Sequence, residues 1–318
     1  MKNLDVIALG ELLIDFTENG FSANGNPLLE ANPGGAPCNV LAMLQNLGKK
    51  TAFIGKVGKD AFGDYLKDTV CQVGIDVTNL IQDATVPTTL AFVHTAADGD
   101  RSFSFYRDPG ADMMLSESEI DYSQIADAKI FHFGTLSMTH DGVRAATIKA
   151  VDYAKEHGLL ISFDPNYRPL LWKKEETAKE MIRYGCSVCD ILKISDDEIT
   201  FITGKDTVEE AISLFLEMHQ PKLMCVTCGK NGSIAIYKDM RVACDAVLRP
   251  DTIETTGAGD TFMGCMLNYV LEHGIENLTE DDLRQMQKFA SMAASIITTR
   301  KGALKVMPTK DEMRTNEL

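Results

Sequence analysis

What most limits the fold of this chain is its rhythm, in which short apolar runs alternate with stretches of helical period. The runs DVIALG (5–10), TAFIGKV (51–57), KIFHFG (129–134), LLISFD (159–164), DILKIS (190–195) and KLMCVT (222–227) read as buried strands. Helical patterns separate most of them. One runs through GVRAATIKAVDYAKEHG, residues 142–158, with Gly158 placed to stop it. Strands joined through helices run parallel, and a parallel sheet needs apolar cover on both faces. The expected fold is α/β, a three-layer sandwich around a mostly parallel central sheet.

Two stretches break the rhythm. VPTTLAFVHTAADGDRSFSFYRD, residues 86–108, holds two alternating strands with a turn expected at Asp98-Gly99-Asp100. Residues 12–33 are also extended and turn-rich. These β excursions predict a small sheet of residues 12–33 and 87–110 projecting from a core of 1–11, 34–86 and 111–318. A lid and a dimer-forming flap both suit that pattern. Because an exposed sheet has edges that a second copy can cover, a homodimer through the lid is expected.

Length and charge exclude several classes. At 318 residues, 45% hydrophobic, the chain suits one large α/β domain with an accessory unit. No apolar run approaches the roughly 20 residues needed to cross a bilayer, so no membrane partner is expected. The start, MKNLDVIALGELLID, enters a strand pattern and carries charges where a secretory signal is apolar, which predicts a cytoplasmic protein. A formal charge of -15 opposes a nucleic-acid partner, since phosphate neutralisation needs clustered Lys and Arg. It does not oppose one small anion held by backbone N–H groups.

Two CxxC pairs, CSVC (186–189) and CVTC (225–228), raise a zinc or redox site. The second lies on an expected strand, where an offset of three sends Cys225 and Cys228 to opposite faces. Neither pair has the knuckle or partner spacing of a zinc ribbon, and both read as reduced thiols.

Several strands end in polar or glycine-rich residues: Gly134, Asp164-Pro165-Asn166, Ser195 to Glu198, and Thr227-Cys228-Gly229. In open parallel sheets such ends gather along the edge where ligands bind. The densest signal is IETTGAGDTFMG, 253–264. Thr255 or Thr256 is expected to cap the helix that follows, and Gly257-Ala258-Gly259 clears side chains so that backbone N–H groups can face an anion. Asp260 at the mouth can take a proton from an attacking hydroxyl. Two other phosphate loops fail on spacing. No GxxxxGK[ST] occurs, and Phe262 stands where GxGxxG needs its third glycine.

With these residues in view, the chain resembles the ribokinase-type (phosphofructokinase-B) sugar kinases from about residue 5 to about residue 308. The similarity rests on GGAPCNVLAMLQNLG (34–48), continuing through IGKVGKDAFGD, and on TTGAGDTF (255–262). It implies a ribokinase-like sandwich with a β-sheet lid, ATP as donor, Mg²⁺, and often a monovalent cation such as K⁺. By the same resemblance Asp260 is the catalytic base and Gly257, Ala258 and Gly259 form the anion hole. Asp15, Gly34, Gly35 and Asn39 resemble the family's sugar contacts. Ser195, Thr227, Gly229, Gly232 and Ser291 fall on nucleotide-side positions. Glu198 fits the Mg²⁺ position, acting through water, and Glu254 and Thr256 the cation loop. Ser195 and Ser291 stand where the family often has asparagine, and Glu254 where it usually has aspartate.

FYRDPGADMML (105–115) and FDPNYRPLLW (163–172) look most like fructokinases. Tyr106, Arg107 and Arg168 are thereby candidate substrate contacts. Two arginines also suit a carboxylate, which leaves 2-keto-3-deoxygluconate kinase as the alternative. A third reading is a binding protein of this fold without turnover, against which the intact Asp260 and glycine bend argue.

Overall fold

The protein is described by a computed structural model over residues 2–95 and 101–315. In chain order its strands begin β1 (Leu4–Leu9), β2 (Leu13–Phe21), β3 (Pro27–Gly34), β4 (Thr51–Gly58), β5 (Leu80–Asp83), β6 (Leu90–Thr95) and β7 (Arg101–Tyr106). They continue with β8 (Ala128–Phe133), β9 (Leu160–Phe163), β10 (Ile191–Ser195), β11 (Leu223–Thr227), β12 (Ser233–Tyr237) and β13 (Met240–Cys244). Nine of them form the main sheet in the order β13-β12-β11-β10-β9-β8-β1-β4-β5. From β11 to β5 every neighbour is parallel; β12 and β13 close one side antiparallel.

Side-chain alternation along these strands feeds two cores. Val6, Ala8, Ile191 and Cys225 pack on one face, beneath the helices Ala36–Asn46, Ala258–His273 and Glu280–Ile297. Ile7, Leu9, Leu192 and Val226 pack on the other, against Asp141–Glu156, Glu175–Val188 and Val208–Met218. Both faces of the sheet are covered, as a parallel sheet requires. Cys225 lies in the first core, whereas Cys228 packs against the second, so that CxxC does not converge. Gly158 ends the 141–156 helix with φ +67°, in the left-handed region where glycine carries no Cβ penalty. Among the described residues no helix is long and apolar enough to cross a membrane.

The remaining strands form a second sheet, β3-β2-β6-β7. β2 pairs antiparallel with β3 and parallel with β6, which pairs antiparallel with β7 from Leu90↔Tyr106 onward. The turn expected at 98–100 lies outside the described residues. Phe16 stacks on Phe92 at 5.0 Å and meets Phe62 edge-on at 5.6 Å, tying this sheet to the helix Ala61–Val73.

Candidate active site

The strand ends do gather. Residues at the ends of β1, β9, β10 and β11 line one cavity of about 650 Å³, closed by the helix starts at 36 and 258 and by one face of the second sheet. Two helices set its floor. At Gly264 an added Cβ would stand 2.8 Å from Cβ of Met43, so Ala258–His273 and Ala36–Asn46 cross almost backbone to backbone. That crossing brings Asn39 to Asp260, with Nδ2 donating to Oδ2 at 2.8 Å. Asn166, after β9, donates from Nδ2 to the other oxygen, Oδ1, at 3.1 Å. Asp260 is buried at the bottom with both oxygens held by amides.

The expected threonine cap is not formed. The N-cap is Gly257 itself, with φ 76° and no side-chain hydrogen bond. The left-handed bend at Gly257 turns the chain straight into the helix, so Thr255 and Thr256 fall before the capping position. The three expected anion-hole amides also divide. Ala258 donates its N–H to the Thr255 carbonyl at 3.2 Å, whereas Gly257 and Gly259 have no backbone acceptor among the described residues. Unspent N–H groups at the positive end of a helix attract an anion.

On the acceptor side, Asp15 lines the cavity from β2. Burial foremost, helped by Glu254 and Asp260 and opposed by Arg168, pushes its carboxyl up to about 7. Gly34 packs directly on the Asp15 carboxylate, and Gly35, φ +135°, leaves no room for a side chain beside the Glu11 backbone. Glu11 was not among the expected residues. It lines the cavity, accepts the Ala36 N–H at 2.8 Å, and is pushed up to about 7 by burial. Its signal was one carboxylate at a strand end, indistinguishable from turn chemistry.

Arg168 reaches the cavity and donates to the Tyr167 carbonyl at 3.2 Å. Arg107 is not brought there. It is buried against Asp112, Nη2 to Oδ2 at 2.6 Å, with further bonds to Thr139 and the Leu136 carbonyl. Tyr106 is 67% exposed and packs edge-on with Phe92 outside the cavity.

Of the donor-side residues, Ser195, Glu198, Thr227, Gly229, Glu254 and Thr256 line the cavity. Ser195 and Glu198 form a reciprocal capping box at the start of Asp196–Thr203. Glu198 accepts backbone N–H groups from Tyr167 at 2.7 Å and from Ser195 at 2.9 Å. Glu254 accepts the Gly302 N–H at 2.7 Å. Gly232 lies instead in the β11–β12 turn, pressed on the Cys244 carbonyl. Ser291 accepts the Val247 N–H at 2.9 Å, beside a second cavity of about 970 Å³. Val208, Val247 and Met292 give that cavity apolar walls, Arg284 and Lys288 its cations, and Asp196 is shared with the first.

A buried pair also went unpredicted. Lys193, from β10, lines the first cavity and donates to Asp164 at 2.9 Å. Burial foremost pushes Asp164 up to about 7, with Glu198 and Asp260 adding to it and Lys193 opposing. In the sequence the pair shows only as one lysine between the apolar Leu192 and Ile194 and one aspartate among the polar strand ends.

A doubly covered parallel sheet, a four-stranded side sheet and a glycine-led helix at the strand ends together make the architecture of a carbohydrate kinase. Residues 3–310 match the pfkB family carbohydrate kinase, and the chain belongs to that family. It is 39% identical over 309 residues to the probable fructokinase-2 of Arabidopsis thaliana, covering 96% of this chain and 94% of that protein. A fructokinase from Xylella fastidiosa with bound ATP aligns with a TM-score of 0.87 at 28% identity, covering 98% and 97% of the two chains. A fructokinase from Vibrio cholerae O395, crystallised with fructose, ADP and calcium ion, aligns at 0.86 and 26% identity, covering 98% of each chain.

Proposed function

We propose that this chain is an ATP-dependent fructokinase, with Asp260 as the base that receives the sugar's proton. The observation that carries this reading is the seating of Asp260: both oxygens are held by amides, in the cavity that also exposes Gly257, Gly259 and Asp15. The names of the similar proteins supply the acceptor, a ketose presenting a primary hydroxyl.

In this reading Asp15, with Gly34, Gly35 and Asn39 at the junction of β3 with the helix Ala36–Asn46, orients the sugar hydroxyls. The hydroxyl oxygen attacks the γ-phosphorus in line. The new P–O bond forms as the bond to the ADP oxygen breaks, and the hydroxyl proton passes to Asp260. Aspartate is too weak a base to ionise an alcohol beforehand, so proton transfer accompanies bond formation. The amides of Gly257 and Gly259 face the charge that develops on phosphate oxygens. The nucleoside end of ATP fits the second cavity, whose apolar walls suit a purine face and whose link through Asp196 runs toward the anion hole.

Mg²⁺ fits this donor set through water. Each Glu198 oxygen already accepts one backbone N–H, leaving a lone pair for a hydration water. When bound, the ion neutralises phosphate charge. Glu254 and Thr256 are the residues we assign to a monovalent cation such as K⁺. We assign the second sheet, with the exposed Phe21, Leu28 and Leu29, both the lid and a homodimer contact. The eight unpaired cysteines suit a cytoplasmic protein.

An acid sugar such as 2-keto-3-deoxygluconate is a poorer acceptor for this cavity, because Asp112 consumes the charge of Arg107. ATP consumption measured with fructose, 2-keto-3-deoxygluconate, ribose and a nucleoside tests the reading. Fructose is expected to lead in kcat/KM, and a lead by the acid sugar overturns the acceptor assignment.

A further inference from the structure

We infer that Lys193 is the cation that meets the γ-phosphoryl group, with Asp164 as its positioning residue. This deepens the kinase reading and rests on it. Lys193 lies between the buried Leu192 and Ile194 of β10 and is itself 6% exposed. A lysine there is a cost that hydrophobic packing would avoid, since a buried ion pair seldom stabilises more than apolar side chains of like volume. Its position relative to the glycine bend accounts for it. Nζ lies 3.0 Å from where a Cβ at Gly259 would stand, directly against the expected anion hole.

The pair is also incompletely satisfied, unlike a purely structural one. Nζ donates to Asp164 Oδ2 at 2.9 Å, one bond for three N–H donors. Asp164 Oδ1 is buried with no partner. By contrast, the buried Arg107–Asp112 pair adds bonds to Thr139 and the Leu136 carbonyl. Lys193 has unspent donors at a cavity wall, and Asp164 restrains it from the adjoining strand end.

Charge gives the same answer. Burial pulls the Lys193 ammonium toward the neutral form, yet Asp164, Glu198 and Asp260 together outweigh it and hold the pKa above the ordinary lysine value. Glu198 and Asp260 beside the Lys193–Asp164 pair leave a local excess of negative charge where a triphosphate has to enter. An ammonium at Gly259 offsets that repulsion and meets the charge on the moving phosphoryl group, as lysine does for phosphates elsewhere.

The test replaces the pair without leaving a buried charge alone, using Lys193→Met together with Asp164→Asn. Calorimetry with ADP and with the non-hydrolysable β,γ-imido analogue of ATP separates the terminal phosphate from the rest. The analogue is expected to lose about 10-fold or more in affinity while ADP stays within about 2-fold. With an accepted sugar, kcat is expected to fall about 100-fold or more and the sugar KM to stay within about 3-fold. Equal changes for both nucleotides, or kcat within about 3-fold of wild type, overturn the inference. A wild-type complex with the analogue decides the matter if the double variant does not fold. Nζ within about 3 Å of a γ-phosphate oxygen supports the role. Nζ turned away and bonded only to Asp164 defeats it. A wild-type chain that binds the analogue but ignores fructose removes only the acceptor assignment, whereas one that binds no triphosphate removes both readings.

Discussion

Asn39 and Asp260, 221 positions apart in the chain, meet through an Nδ2–Oδ2 hydrogen bond of 2.8 Å. The bond joins the start of one helix to the start of another, and it fixes the carboxylate rotamer. Asn39→Ala is expected to lower kcat by about 10- to 100-fold while the KM for ATP changes little, because it frees the proposed base without touching the second cavity, where the nucleoside end is placed. Steady-state kinetics check this. An unchanged kcat removes the bracing role of Asn39.

Asp260→Asn keeps the shape of the side chain and takes away its basicity. The expected loss in kcat is about 10²- to 10⁴-fold, with sugar and nucleotide affinities near those of the wild type. Near-normal turnover by that variant eliminates Asp260 as the proton acceptor.

Asp15 carries a pH signature, because burial raises its pKa to about 7. Below that value the group is protonated; above it both oxygens are free to accept from the sugar hydroxyls that the proposed function assigns to it. The sugar KM is expected to fall as pH rises through about 7, and Asp15→Asn to flatten the profile. A wild-type KM with no pH dependence in that interval contradicts the assignment.

Gly257→Ala meets two obstacles, a left-handed φ of +76° and the Ala303 Cβ 2.7 Å from the new methyl. About 1–3 kcal/mol of stability should be lost, along with much of the activity. Thermal melting beside an activity assay reads both, and a variant that melts and turns over like wild type refutes the strain.

Arg107→Met tests the opposite kind of residue. Removing the guanidinium leaves Asp112 buried without its ion pair, so stability is expected to fall by about 3–5 kcal/mol. The folded fraction should keep its sugar KM. A variant of normal stability that binds sugar poorly would return Arg107 to the substrate side.

Much of this arrangement was legible because it is local or periodic. The six expected parallel strands are mostly apolar runs that end in polar or glycine residues, and the bend before Asp260 is one contiguous string; β5, LIQD, is too short and polar to stand out. What stayed hidden depends on long-range pairing. Arg107 looks like a substrate cation until the fold brings Thr139 and Leu136 beside it. Lys193 gains its meaning from Asp164, just past the end of β9. Asn166, with its left-handed φ of 48°, reads as a turn residue until the turn is seen to aim its amide at Asp260. The β12–β13 hairpin is hard to see in the sequence for a different reason. It turns at Lys238, φ 53°, without the glycine that usually announces such a bend.

Asp15 belongs to the smaller sheet and Asp260 to the larger body. A sugar gripped by both is therefore a cross-link, and the two parts cannot separate while it stays. On the proposed reading, departure of the phosphorylated product would require the two sheets to part, which would make the seam between them the natural place for turnover to be throttled.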